Sequence, residues 1–206
     1  MQLSIEANFE GVQKKLKELQ QDVAAKALAS TVNKVLAKAK TAMSREIRAE
    51  FNLTASKVGE ALRVNRASFK AGLFSIQGQL YSPSKRGQSL NLINFSAKQT
   101  ARSRKGGGLS VKIKRSTGTK ILRGAFIGNQ GRTVFSRTGE AKRIMTKGFN
   151  KGKLREPIKA KQTIAVAQMF NTRRINRKVV QFIEADLPRI FDNEVKYFTD
   201  RFNRAL

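Results

Sequence analysis

The sequence contains no cysteine, no histidine and no tryptophan. Without cysteine there is no disulfide framework, and without cysteine or histidine there is no zinc site of the usual nitrogen and sulfur kind. Ser–His and Cys–His nucleophile pairs and histidine acid–base chemistry are excluded with them. Acids are scarce too: 14 Asp+Glu stand against 42 Lys+Arg, a net charge of +28. Carboxylate chemistry alone stays open, so the inventory points away from an enzyme, and no cofactor or metal is expected. Mean hydropathy is −0.43, and no apolar run reaches the ~20 residues a membrane-spanning helix needs. Met1-Gln2-Leu3-Ser4-Ile5-Glu6 shows neither a basic n-region nor an apolar h-region, so neither a membrane partner nor a secretory signal is expected.

What is present is a chain of 206 residues, 40% apolar. That is long enough for a real core and fits a single domain spanning 1–206. A pI near 11.3 directs the surface toward polyanions, either nucleic acid or the acidic face of a protein. The charge is uneven. No acid lies between Glu60 and Glu140, and the next two are Glu156 and Glu184. Three parts follow: a helical part (1–65), a basic β-rich part (66–162) and a C-terminal helical part (163–206).

Val12, Leu16, Leu19, Val23, Ala27, Val32, Val35, Ala39, Met43, Ile47 and Phe51 recur at three- to four-residue spacing, with one looser step after Ala27. That stripe predicts a long amphipathic helix, with room for a break near residues 20–24. Thr54 is an N-cap for a second, short helix ending by Asn65. The period then changes. Residues 69–77 and Leu90–Phe95 read as strands, with a turn at 82–87 between them. Residues 96–108 have no apolar periodicity and predict a flexible basic loop. Leu109, Val111 and Ile113 alternate with polar residues as a strand, Ser116–Thr119 turns, and residues 121–127 return as one strand. Gly128–Gly131 turns again into a strand at 133–136. The run 137–156 is a polar connection, and Ile158 opens an edge strand. Val179, Ile183, Leu187, Ile190, Phe191, Val195, Phe198, Phe202 and Leu206 form a C-terminal helical stripe, which Pro188 is expected to kink or restart behind an Asp186 cap. The fold class is α+β: long N-terminal and C-terminal helices on a small, mainly antiparallel sheet with a long basic loop.

Lys105-Gly-Gly-Gly108 lacks the Gly-Lys-Ser/Thr spacing of a phosphate loop and opens a strand, so it is turn chemistry; Gly128–Gly131 is no dinucleotide fingerprint either. The acids Glu46 with Glu50, and Asp192 with Glu194 or Asp200, read as helix-surface ion-pairing groups. A metal-dependent nuclease would have to rest on acids such as Glu140 or Glu156. The aromatic residues are mostly Phe at apolar positions, which reads as core and does not suggest a base-stacking sheet. The basic centre is the strongest feature. Lys98, Arg102, Arg104, Lys105, Lys112, Lys114 and Arg115 are the candidate contacts to a polyanion, which the residues leave open as DNA or an acidic partner. Gly106, Gly107 and Gly108 would hinge their loop. Val12, Leu16, Leu19, Val23, Phe191, Phe198 and Phe202 are candidates for subunit packing, beside the plainer reading as the chain's own core.

Leu92-Ile93-Asn94-Phe95, the basic stretch into Lys105-Gly-Gly-Gly-Leu-Ser-Val111, then Gly124-Ala-Phe-Ile127 and Arg155-Glu-Pro-Ile158, occur in that order. This order, with the length and charge, resembles the minor tail protein Z family of tailed bacteriophages, the tail completion proteins of lambda-like phages. The resemblance implies a structural virion protein at the head-proximal end of the tail. It further implies a homo-oligomeric ring, six-fold in distantly similar proteins, beside the tail terminator and other neck proteins. The ring would surround phage genomic DNA without reading its sequence, after assembly in the host cytoplasm. The alternative is a free-standing, sequence-independent nucleic-acid-binding protein.

Overall fold

A computed structural model describes residues 2–3, 21–68, 76–83, 89–100, 108–148 and 150–204. Two compact units share the chain: Met1–Ile47, Val58–Ser84 and Ala167–Leu206 form a helical unit, and Arg48–Lys57 with Lys85–Val166 form a sheet unit.

In the helical unit, α1 (Gln21–Glu50) runs without a break from its first described residue. Val23, Ala27, Val35, Leu36, Ala39, Met43 and Ile47 are buried along one stripe, as the spacing demands. Val12, Leu16 and Leu19 lie outside the described residues. The short α2 (Ala55–Ala61) begins where Thr54 Oγ1 accepts the Lys57 N–H at 3.4 Å. It stops earlier than the sequence suggests, because Arg63–Asn65 leaves as strand β2. β2 pairs antiparallel with β3 (Gln79–Tyr81), which pairs in turn with β1 (Gln2–Leu3). The strand expected over 69–77 falls mostly outside the described residues. The Asn33 amide clamps the far end of β2. Its Nδ2 donates to the Ala67 carbonyl and its Oδ1 accepts the Ala67 N–H, both at 2.9 Å.

After α3 (Val166–Phe170), α4 (Arg173–Asn203) is one continuous helix with Pro188 inside it. Of the two outcomes expected at Pro188, a kink or a restart behind Asp186, the restart does not occur. Ile183, Ile190 and Phe191 are buried on both sides of the proline, and that packing offsets the ~3 kcal/mol a mid-helix proline costs. Ion pairs fix α4 antiparallel to α1: Lys34 with Glu194, Lys38 with Asp186 (2.6 Å) and Lys178 with Glu46 (3.3 Å).

In the sheet unit every described strand pairing is antiparallel, as expected, but the single small sheet is divided into several. β4 (Lys98–Gln99), β5 (Gly108–Val111) and β6 (Lys120–Arg123) form one in the order β4-β5-β6. β7 (Ala125–Gly128), β8 (Thr133–Arg137) and β11 (Ile158–Ala160) form another in the order β11-β8-β7, with Ile158 opening the edge strand as expected. The single strand expected over 121–127 is therefore two. Gly124 sits between them at φ +71, where a side chain would be strained, and turns the chain from one sheet to the other. Within the polar connection, β9 (Arg143–Ile144) and β10 (Leu154–Arg155) form a separate hairpin.

Leu92–Phe95 is a 3-10 turn instead of a strand. Asn91 is the reason: its Oδ1 caps the turn by accepting the Ile93 N–H (3.1 Å) and also takes the Val134 N–H (2.9 Å). Leu92 and Phe95 are buried, as are Leu109, Val111, Ala125 and Val134 of the same unit.

A candidate polyanion interface on the sheet unit

The two units differ sharply in charge. The sheet unit holds 23 Lys and Arg against three acids, a net +20; the helical unit holds 19 against 11, a net +8. Two of the three acids are already engaged with neighbours. Glu50 approaches Lys114 at 4.0 Å, and Glu156 faces Arg137 at 3.9 Å while accepting the Gly139 N–H at 2.8 Å. Among the described residues most of the basic side chains of this unit are exposed, and its few acids cannot neutralise them, a surface that attracts polyanions by counterion release.

The register of β4-β5-β6 places part of this charge on one face. Lys98 is opposite Ser110, Ser110 opposite Ile121, and Gly108 opposite Arg123. Residues directly opposite share a face, so exposed Lys98 and Arg123 flank Ile121, which is 66% exposed. Leu109 and Val111 point the other way, into the core. Arg123 is not among the candidates the sequence offers, because a single strand over 121–127 does not single it out; the glycine that follows it, Gly124, is the local signal of a break there.

Gly108 is the first residue of β5, buried against β6. A Cβ there would come within 2.8 Å of the Leu122 carbonyl oxygen, so its lack of a side chain serves close strand approach. The Gly108 carbonyl also ties residues 99 and 100 to 108, forming a stem that flanks 101–107. The Thr100 N–H (3.0 Å), the Thr100 hydroxyl (2.6 Å) and the Gln99 side-chain amide (3.0 Å) all donate to the Gly108 carbonyl. The stem is thus fixed on both sides of 101–107. Arg102, Arg104, Lys105, Gly106 and Gly107 lie outside the described residues.

Lys114 and Arg115 have a different setting. They follow β5 to the C-terminal end of α1, where backbone carbonyls lack helical partners and the helix dipole is negative. The Arg115 N–H donates to the Glu50 carbonyl (2.8 Å), its Nε to the Arg48 carbonyl (2.6 Å), and the Asn52 N–H to the Ile113 carbonyl (2.8 Å). Lys114 also sits 5.9 Å from the Phe51 ring centre. These two bases thus serve the helix end. Lys112 is half-buried beyond the end of β5.

Of the candidate packing residues, Val23 and Phe191 are buried within the chain itself, whereas Phe198 and Phe202 keep part of their surface. Phe51, Phe95, Phe170 and Phe191 are core. Phe126 and Phe135 are half-buried and stacked, 6.0 Å apart, on one face of β7-β8. In the helical unit, a cavity of about 310 Å³ is lined by Ala37, Lys38, Thr41, Ala42, Arg45 and Phe182. Its lining has cations and a hydroxyl but no carboxylate. Among the described residues no group of three His, Cys, Asp or Glu gathers to hold a metal, and no helix is long and apolar enough to cross a membrane.

The sequence profile of the family described as prophage minor tail protein Z matches residues 9–201. The chain belongs to that family. It is accordingly a structural protein of the phage tail, located in the virion and in contact with other tail proteins. No curated protein and no solved structure gives a significant match. The matched span takes in nearly all of both units, including the four segments that carried the resemblance.

Proposed function

We propose that this minor tail protein completes the tail at its head-proximal end, as part of an oligomeric neck ring around the DNA path. The supporting observation is the concentration of +20 of the +28 net charge in the sheet unit. A wall facing a moving duplex must tolerate phosphates without reading bases, and exposed Lys and Arg on a small sheet satisfy that. Lys98, Arg102, Arg104 and Lys105 are the bases assigned to this contact. The hydrogen bonds between Thr100 and Gly108 fix the two ends that flank 101–107, and Gly106 and Gly107 are assigned as the hinge. Lys112, Lys114 and Arg115 lie past the other end of β5. Half-buried Phe198 and Phe202, together with Val12, Leu16 and Leu19, are assigned to contacts between copies. Mechanism here means binding and assembly, with no bond made or broken.

The experiment is complementation of a phage lacking the protein by the quadruple variant Lys98→Ser, Arg102→Ser, Arg104→Ser, Lys105→Ser. The fold should persist by circular dichroism while the yield of infectious particles falls. A wild-type yield would overturn the assignment. Lys114 and Arg115 are left out of the variant because they hold the end of α1.

A further inference from the structure

The β9–β10 hairpin carries an exposed surface that neither core uses. Ile144 is directly opposite Leu154, and they are 65% and 63% exposed. Arg143 is directly opposite Arg155. Successive residues alternate faces, so one face of the hairpin is an apolar pair and the other is an arginine pair. The hairpin is well formed. Beyond the strands, the Met145 N–H donates to the Lys153 carbonyl (3.1 Å) and the Gly152 N–H to the Met145 carbonyl (2.8 Å). Two features cost stability in the free chain. Like charges directly opposite repel, and two large aliphatic side chains stand in water. Neither arginine has an ion-pair partner among the described residues, and the segment between Glu140 and Glu156 contains no acid. A partner would relieve both costs together.

We infer that this hairpin inserts into a cleft of an acidic tail protein, with Ile144 and Leu154 against an apolar wall and Arg143 and Arg155 against a carboxylate-lined wall. DNA fits worse, because phosphates reward the arginines but give nothing to Ile144 and Leu154. The assignment is independent of where along the tail the protein sits.

The test uses the full chain and two labelled probes followed by fluorescence anisotropy, polyglutamate and a glutamate–tyrosine copolymer of equal length, in about 0.15 M salt. A short DNA duplex serves as a third probe. The wild type should hold the copolymer about ten-fold more tightly than polyglutamate. Ile144→Ser with Leu154→Ser should abolish that preference and leave duplex binding within about two-fold. Arg143→Gln with Arg155→Gln should weaken both polypeptides. All four positions are exposed, so circular dichroism should be unchanged. Equal binding of the two polypeptides by the wild type, or no effect of the serine pair on copolymer binding, would overturn the inference. Loss of duplex binding in step with copolymer binding in the serine pair would assign the hairpin to nucleic acid instead.

Discussion

The helical and sheet units of this tail protein handle charge in opposite ways. In the helical unit, acids on α1 and α4 are used as internal struts: Glu46, Asp186 and Glu194 each bind a lysine from the other helix. In the sheet unit basic residues outnumber acids 23 to three, so most positive charge has no internal use. The first pattern stabilises a fold. The second leaves a surface whose charge must be met from outside, and it is more informative about function than any single motif in the chain.

The comparison can be probed by substitutions whose expected effects differ in size. The largest concern the two cores. Phe191→Ala in the helical unit and Phe95→Ala in the sheet unit each empty a buried aromatic site, and each should cost about 3–5 kcal/mol in a denaturant titration. A loss under about 1 kcal/mol at either site would mean that the core there is misplaced.

Next comes the strut at Glu194. Its carboxylate is buried, which raises its pKa, but hydrogen bonds from the Lys34 ammonium and the Ser30 hydroxyl outweigh burial and hold it below the ordinary value of 4.5. The Asp186 pKa is lowered as well, by Lys38 first and then Arg189. A depressed folded-state pKa means that the unfolded chain takes up protons first as pH falls. These struts therefore contribute fully above about pH 4.5, and their contribution drains away as pH drops through the folded-state values. Glu194→Gln should cost about 2 kcal/mol at neutral pH and flatten the fall in stability as pH drops below the ordinary glutamate value of 4.5. An unchanged acid slope in melting curves would remove Glu194 from the account.

A smaller effect is expected at Gly124, the turn between the two larger sheets. Alanine there meets no atom within 4 Å but must adopt φ +71, which should cost about 1–2 kcal/mol. The smallest effect separates two bases that look alike in sequence. Arg115→Ala releases the carbonyls at the end of α1 and should cost about 1 kcal/mol, whereas Lys98→Ala on the exposed sheet face should stay within about 0.5 kcal/mol. Equal stability losses would erase the distinction between a helix-clamping base and a surface base.

That pair also shows how far the sequence could be read. The long stripes on α1 and α4 were legible because a 3.6-residue period repeated over many turns overrides local exceptions, even Pro188 in the middle of α4. The short β elements were less so. Leu92–Phe95 mimics a strand by composition, and only the capping chemistry of Asn91 turns it into a 3-10 turn. The segment over 121–127 reads as one strand until Gly124 is given its positive φ. The basic centre was plain from the missing acids. Its division into exposed Lys98 and helix-clamping Lys114 and Arg115 depends on where the α1 C-terminus arrives, 67 residues away in the Arg48–Arg115 contact, and no local pattern carries that. The family resemblance, resting on the order of four weak segments, is met by a profile match over residues 9–201.

A position at the junction of head and tail is the proposal on which the functional reading rests. Immunogold labelling of purified particles, viewed by electron microscopy, tests it most directly. The account predicts gold at the head–tail junction. Label confined to the distal tip, spread along the tail tube, or absent from particles would contradict it.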